Sequence, residues 1–486
     1  MAIRQVAPLD TAWLMLESRD TPMHVGSLSE FTIPDDAGPG YLQGLVAQMR
    51  APHTIPPPWN LKLVGAPLIG QRLPLMREDH DVDLEYHVRH SALPHPGGQR
   101  ELGILVSRLH SHQLDLHRPL WEAHVIEGLE AGGAEGGARF ALYMKLHHSL
   151  IDGVSGMRLI LRALSADPDE RGMPPFWTVG AGKAPRREGE DGGPAQRLLG
   201  AAQGGAKALA GISRAAIDLG RAAIDDRPLK APYVTPASAL GGQLEGQRRF
   251  ATQQYDLGRL KALSKAADCT LNDIVLYLSS TALRHYLAEH GRVPDGSMSV
   301  GIPVNLRSAE DQSTGTSVGM MVAELGTNVA NPRERLEVIR RSTSEAKQHL
   351  AKLPPESRMY YSLLINGPWI AGLVAGLGSR APLPFSVGIS NVPGPPEPCY
   401  FNGARLDAVF PLSLLLHGNA LNITCLSYAG TLNFGFTGAR DTLPHLQHLA
   451  LCMGEALEEI EAVLGEEGGP VASNGRGASK ARAPAE

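Results

Sequence analysis

Cysteine is scarce in this chain, and so is an excess of charge of either sign. The four cysteines among 486 residues, Cys269, Cys399, Cys425 and Cys452, form no Cys-x-x-Cys pair and lie far apart. Such spacing fits neither a disulfide framework nor a structural zinc site, and it suits reduced thiols in a cytoplasmic protein. Lysine and arginine number 45 against 50 aspartates and glutamates, a net charge of -5, which leaves no basic field for nucleic acid. No run of about eighteen uninterrupted apolar residues occurs, so no membrane-spanning helix is expected. The opening residues carry charge from Arg4 onward and no long apolar core, so they are not expected to act as a signal peptide. Neither a phosphate-loop lysine motif nor a Gly-x-Ser-x-Gly nucleophile elbow is present, which removes two common routes to phosphoryl and acyl chemistry. Residues 376–381 fit a dinucleotide fingerprint on paper, but they follow a helical apolar segment and not the strand the motif requires.

What is present is organised around residues 139–164, RFALYMKLHHSLIDGVSGMRLILRAL. Phe140, Leu142, Met144 and Leu146 alternate with Ala141, Tyr143 and Lys145, the period of a strand. After Asp152 and Gly153, the apolar residues Val154, Met157, Leu161 and Leu164 recur at helical spacing. His147, His148 and Asp152 therefore sit on a strand-to-helix turn, where a rigid scaffold presents reactive side chains. His148 keeps the parity of Leu146 and is expected to face inward, with His147 on the opposite side. An Asp152 carboxylate reaching back toward His148 would fix the ring's orientation and tautomer and leave it a general base near neutral pH. Gly153 fits a crowded turn or a positive φ. Two plainer readings stand beside this one. A histidine near an apolar face is often a satisfied core residue, and two imidazoles with a carboxylate are good metal ligands. Against the metal, adjacent histidines in an extended segment point apart, and no His-Glu-x-x-His completes a shell. With neither an activated serine nor a placed cysteine, direct transfer assisted by His148 is favoured over a covalent intermediate.

A chain of this length exceeds what one core usually holds, so two domains are expected. In the first, residues 1–178, Asp10 caps a helix through Trp13 and Leu16, a strand covers 27–31, and helices cover 41–49 and 101–112. His110, His112 and His117 read as a solvated or edge cluster, and Pro119, Leu120 and Trp121 precede a strand at 123–126. Residues 179–245 form a linker rich in Gly, Arg and Glu, holding an amphipathic pattern between Arg197 and Ile224. It reads as a domain-connecting helix, with a basic membrane-surface helix as the rival. In residues 246–466, Thr270 to Asp273 cap a helix over 274–288. Strands are expected at 298–304, 318–325 and 385–389, and helices at 332–350 and 445–464. The strand at 385–389 runs into a fixed turn at Ser390 to Pro395, and a hairpin closes around Ala429 and Gly430. Residues 467–486 read as a disordered tail.

At the histidine turn the chain resembles the coenzyme A-dependent acyltransferase superfamily, which includes chloramphenicol acetyltransferase and condensation domains. Pro8-Leu9-Asp10, Pro22-Met23-His24-Val25-Gly26, Pro119-Leu120-Trp121, the turn itself, Asn272-Asp273, Pro303-Val304-Asn305-Leu306-Arg307 and Ser390 to Pro395 look like the bacterial wax ester synthase/diacylglycerol acyltransferase family. The resemblance implies an α/β fold, an α+β sandwich of two chloramphenicol acetyltransferase-like domains with the active-site tunnel between them. It implies transfer of a long-chain acyl group from acyl-CoA to a fatty alcohol or diacylglycerol, with His148 as base and no covalent acyl-enzyme. Asp152 would orient, His147 would support, and Asn272 would donate to the oxyanion unless it merely caps its helix. Gly153, Pro119, Leu120, Trp121, Ser390 and Asn391 would contact substrate. No metal and no cofactor are implied, acyl-CoA being a substrate. The expected location is cytoplasmic, peripheral to the inner membrane face or to lipid inclusions; the oligomeric state is left open. One departure stands out: the chain has Gly319-Met320 where the family commonly has Gly-Asn, which bears on acyl-chain preference. The alternatives are a superfamily relative using another acceptor or a carrier-bound donor, and a non-catalytic lipid-binding or lipid-droplet protein.

Overall fold

The computed structural model describes residues 3–6, 8–64, 74–132, 137–180, 229–305 and 318–468. The expected amphipathic helix at 197–224, Leu306 and Arg307, and the tail beyond 468 lie outside the described residues.

Two six-stranded sheets carry the fold. The first contains β2 (His24–Thr32), β5 (Val88–Ala92), β6 (Trp121–Gly132) and β7 (Gly137–His147), joined by β12 (Tyr400–Phe401) and β13 (Ala404–Leu412), in the order β12-β13-β2-β7-β6-β5. Strand β7 runs antiparallel to both neighbours, setting His147 opposite His24 and Leu146 opposite Trp121. Its alternation sorts side chains between two cores. Phe140, Leu142, Met144 and Leu146 join a cluster with Trp59, Trp121 and Trp177, while Ala141 and Tyr143 face Leu102, Leu105 and Val106. The last three belong to α4 (Gln99–Ser111), which follows α1 (Pro8–Leu16), α2 (Tyr41–Arg50) and the single turn α3 (Leu84–His87); α5 (Gly153–Arg162) leaves the histidine turn. With both faces covered, the few polar side chains on β7 must be paired. Lys145 accordingly donates to the carbonyl of His112 at 2.9 Å and lies 3.4 Å from Glu122. A small separate sheet holds β1 (Ile3–Gln5), β3 (Leu61–Val64) and β4 (Leu75–Glu78).

The second sheet runs β10-β9-β11-β14-β15-β8, built from β8 (Arg248–Asp256), β9 (Ser299–Asn305), β10 (Val318–Glu324), β11 (Val387–Pro393), β14 (Leu421–Tyr428) and β15 (Thr431–Ala439). Helices α6 (Leu257–Ala266), α7 (Leu271–His290), α8 (Pro332–Lys352) and α10 (Leu446–Gly468) pack against it, sharing a core that includes Ile274, Leu278, Phe434, Phe436, Met453 and Leu457. Helix α9 (Pro355–Val374) joins a different cluster, where Ile365 and Trp369 meet Leu16 and Phe385. The hairpin between β14 and β15 turns where expected, with Ala429 at φ 43° and Gly430 at φ 82°. Two successive left-handed residues are what a two-residue turn between twisted strands requires.

Two expectations need correction. The segment 246–466 is not self-contained: β12 and β13 leave it and pair with the first sheet, Phe410 opposite Leu28 and Leu406 opposite Phe31. Without them β2 would present an open edge. Ser390 to Pro393 are not a turn but the continuation of β11, whose residues Gly388 to Pro393 pair in parallel with β14. Pro393 is tolerated there because it ends the strand.

Candidate active site

A cavity of about 320 Å³ lies between the two sheets. Its walls come from β2 (Val25, Ser27), β7 (Met144, Leu146), α5 (Met157, Ile160), β11 (Ser390, Val392), β14 (Leu421, Leu426) and α9 (Leu363, Trp369), with residues 411–416 between them. These walls are mostly hydrocarbon, and the polar groups on them are few, as in a site that selects an apolar ligand and orients it at a few points.

His148 opens into this cavity beside Met144 and Leu146, the side its strand parity predicts. Its backbone N–H donates to the Met23 carbonyl at 2.8 Å, tying the end of β7 to the loop before β2. Trp13 of α1 covers the ring, centroid to centroid 4.4 Å at an interplanar angle of 40°. Burial is the largest influence on the His148 pKa and lowers it, the nearby His147 lowers it further, and Asp152 and the residue's own main chain raise it; the balance is about 4. The ring is therefore neutral at physiological pH. Its Nδ1 is buried with no partner in hydrogen-bonding geometry, so whatever the ring exchanges with a ligand passes through the nitrogen on the cavity side.

His147 faces the other way. Its Nδ1 accepts the Ser149 backbone N–H at 3.1 Å and lies 2.7 Å from the Ser149 hydroxyl. A nitrogen that accepts a main-chain N–H carries no proton, so the proton resides on Nε2, 3.3 Å from the Glu17 carboxylate. Glu17 also accepts from the Met23 backbone N–H and, at 2.7 Å, from Gln113. His147 thus sits against the residue that follows α1, and its backbone N–H donates to the Leu120 carbonyl at 3.0 Å.

Asp152 departs from the expected role. It is the N-cap of α5, and its two carboxylate oxygens accept the Ser155 backbone N–H and hydroxyl, each at 2.9 Å. A short side chain at the first turn of a helix meets the unpaired amides there before it meets a ring four residues back. Its influence on His148 runs through charge. Gly153, too, is not in a crowded place: a Cβ there would meet nothing within 4 Å. Because Gly153 lines the cavity, the space a side chain would fill is the site itself.

Of the other expected contacts, Ser390 lines the cavity and Asn391, pointing to the opposite face of β11, does not. Leu120 and Trp121 are wholly buried, and Pro119 is likewise absent from the cavity wall; the Trp121 indole donates to the Trp59 carbonyl at 2.7 Å and stacks on Trp177. This motif supports the histidine turn from behind. Asn272 is absent from the cavity wall as well, lying in the first turn of α7 between the members of a capping box, Thr270 and Asp273. His110 is buried, not solvated: its Nε2 donates to the Ser413 carbonyl at 3.0 Å and its Nδ1 accepts from the Tyr143 hydroxyl at 2.8 Å. Sequence reasoning missed Trp13, Glu17 and the polar pair Ser362 and Asn366 of α9, both on the cavity wall. Met320 is there too, its N–H donating to the Ser362 hydroxyl at 3.0 Å.

None of the four cysteines lines the cavity; burial pushes the Cys269 and Cys452 thiols up to about 11 and raises Cys399 and Cys425 as well. Among the described residues, no group of three or more His, Cys, Asp or Glu side chains is arranged to hold a metal ion.

Comparison with known proteins agrees along the whole chain. Residues 6–275 match the catalytic-domain model of wax ester synthase/diacylglycerol acyltransferases, and residues 314–461 match the C-terminal domain of the same family. A putative diacylglycerol O-acyltransferase of Mycobacterium tuberculosis is 40% identical over 96% of this chain and 98% of its own length. The O-acyltransferase WSD of Acinetobacter baylyi is 37% identical over the same shares. Among solved structures, the wax ester synthase/diacylglycerol acyltransferase of Marinobacter aquaeolei VT8 superposes with a TM-score of 0.75 at 36% identity, covering 95% of this chain and 99% of that one. The first condensation domain of the CDA synthetase shares the fold at 16% identity, with a TM-score of 0.59 over 95% and 96% of the two chains. Sequence and architecture alike make this chain a member of the wax ester synthase/diacylglycerol acyltransferase family.

Proposed function

We propose that the protein transfers a long-chain acyl group from acyl-CoA directly to the hydroxyl of a fatty alcohol or diacylglycerol, with His148 as the general base. The observation that carries the reading is a neutral imidazole exposing one nitrogen to an apolar cavity between the two sheets. The acceptor hydroxyl gives its proton to that nitrogen as its oxygen attacks the thioester carbonyl. The tetrahedral intermediate then expels the CoA thiolate, which takes the proton from the imidazolium, so the base is restored and an ester and free CoA leave. A positioned base contributes roughly a hundred- to ten-thousand-fold. The remainder comes from holding both chains together in the cavity and from a donor to the oxyanion, drawn from wall residues such as Ser390 and Asn366 in place of Asn272. Direct transfer is supported by two features: no described serine hydroxyl is hydrogen-bonded to the His148 ring, and no cysteine reaches the cavity.

The test is thiol release from palmitoyl-CoA, with and without hexadecanol, for the wild type and for His148→Ala. Release that depends on the alcohol and drops at least about a hundredfold in the variant is expected. Release that ignores the alcohol, or survives loss of the ring, would overturn the reading.

A further inference from the structure

Strands β11 and β14 divide their side chains between two surroundings. Val387 and Ile389 of β11 and Ile423 and Cys425 of β14 turn into the core of the second sheet, while Gly388, Val392, Asn422, Thr424 and Leu426 line the cavity. A strand face laid against hydrocarbon is expected to be apolar, yet two successive cavity-facing positions of β14 are asparagine and threonine. The Thr424 hydroxyl donates to the Asn422 Oδ1 at 2.8 Å, which fixes the carboxamide and occupies its acceptor end. The other end, Nδ2, meets no acceptor among the described residues. It lies over Gly388, directly across on β11, where a Cβ would come within 2.9 Å of it. A side chain at position 388 would therefore displace the amide. A donor facing an apolar cavity costs free energy unless the ligand satisfies it.

We propose that Asn422 is a specificity-determining residue: its Nδ2 donates to an ester carbonyl of the acceptor, so that the site reads a diacylglycerol and not merely a hydroxyl on a chain. The proposal rests on the acyl-transfer reading above and adds the residue that separates its two acceptor classes. The strand register sets Asn422 back from the reacting atoms. Thr424 pairs with Gly435, which abuts Pro411; Pro411 is opposite Ser27, and Ser27 is opposite Met144, four residues before His148. Asn422 pairs with Thr437, whose hydroxyl accepts the Ser413 N–H at 3.1 Å, and Ser413 lies past Pro411 in the direction of the histidine turn. The amide thus falls between the levels of Met144 and His148, which are separated by strand residues of about 3.3 Å each. A fatty alcohol gives its one oxygen to His148 and offers only methylenes at that depth. The thioester carbonyl is needed at the imidazole as well. A diacylglycerol carries an ester carbonyl set back along the glycerol from its free hydroxyl, and an ester oxygen accepts without bringing a donor of its own. The amides of the CoA pantetheine arm do bring one, and with Oδ1 held by Thr424 this part of the wall favours a ligand that only accepts.

Kinetics with matched acceptors test the proposal on the full chain, each with palmitoyl-CoA: dioleoylglycerol, its dioleyl ether analogue, which keeps the hydroxyl and both chains but lacks the carbonyls, and hexadecanol. The wild type should favour the ester over the ether by about tenfold in kcat/KM, the effect of one hydrogen bond to a desolvated donor, and mostly through KM. Asn422→Ala should remove that preference and lower the ratio of dioleoylglycerol to hexadecanol transfer by a similar factor. Thr424→Val keeps the shape of the wall and frees the carboxamide to turn; it should give a loss of about threefold in the same direction, and it decides the matter if Asn422→Ala disturbs folding. Equal use of ester and ether by the wild type would overturn the proposal whatever the variants do, as would a preference that survives Asn422→Ala. So would Asn422→Ala slowing all three acceptors by one factor, because the amide would then serve the CoA arm or the strand itself. If the wild type transfers to none of the three, the acyl-transfer reading falls; if it acts on hexadecanol without telling ester from ether, only the proposal does.

Discussion

His148 trades basicity for readiness. With burial holding its pKa at about 4, the ring is a weaker base than a free imidazole, yet it carries no proton at neutral pH and need shed none before reaction. Proton abstraction requires the neutral form, so activity is lost only as pH falls through the folded value. For the free enzyme, kcat/KM should stay level from about pH 8 to about pH 5 and halve near pH 4, where an ordinary histidine would begin to fail near about 6.5. Initial rates taken within seconds of dilution from neutral buffer test this; an acid limb centred near the ordinary value would mean that water reaches the ring. The facing of His148 was legible because strand parity runs unbroken from Phe140 to the turn. The work of Asp152 and Gly153 was not, since a spacing places residues near one another without saying which amide a carboxylate caps or which space a missing side chain leaves open. Trp13 and Glu17 were invisible as partners of the two histidines: they arrive from α1 and the residue just after it, more than a hundred positions away, by tertiary contact that no local period encodes.

At the scale of elements, the site depends on the close approach of β13 and β15, where the strand lent to the first sheet crosses the second. Gly435 of β15 marks the spot: a Cβ there would lie 1.8 Å from the carbonyl oxygen of Pro411. Backbone cannot rotate aside as a side chain does, so Gly435→Ala must push the strands apart. Overpacking of this kind costs about 1–3 kcal/mol. The urea midpoint should drop accordingly with an unchanged m-value, and transfer of long-chain acyl groups should suffer, because Pro411 and Leu412 belong to the cavity wall. An unaltered midpoint would mean that the strands slide past each other freely. Strands and helices with a clear period were legible from the sequence nearly to their ends, as β7, α8 and the β14–β15 hairpin show. The exchange of β12 and β13 was not, because alternation reveals that a strand has two faces but not which sheet's edge will accept it. Helix α9 read only as an apolar segment; which side of it meets solvent is decided by its neighbours.

For the molecule as a whole, the polar groups buried behind β7 set a limit in acid. His24 and His110 are 1% and 3% exposed, and the His24 Nε2–H donates to the His110 carbonyl at 2.9 Å. Burial lowers both pKa values most, and for each the charge on Lys145 adds to it; His110 falls to about 3 and His24 well below its ordinary value. The unfolded chain protonates these rings near pH 6.5 while the folded one does not, so acid favours unfolding throughout the window from about 6.5 down to about 3. At pH 5 the His110 ring contributes about 2 kcal/mol of lost stability, from 1.36 kcal/mol per pH unit below 6.5, and His24 adds a loss in the same direction. The stability measured by urea unfolding should therefore fall by at least about 2 kcal/mol between pH 8 and pH 5. A second loss sets in below about pH 4.5 at Glu122: burial raises its pKa, but the hydrogen bond from His124 and the charges of Lys145 and Arg89 outweigh that and hold it at about 2. His110→Gln, which keeps a donor for the Ser413 carbonyl, should remove about 2 kcal/mol of the change between pH 8 and pH 5. If stability were flat across that interval, both rings would have to take up protons in the folded state, and the space behind β7 would have to admit water.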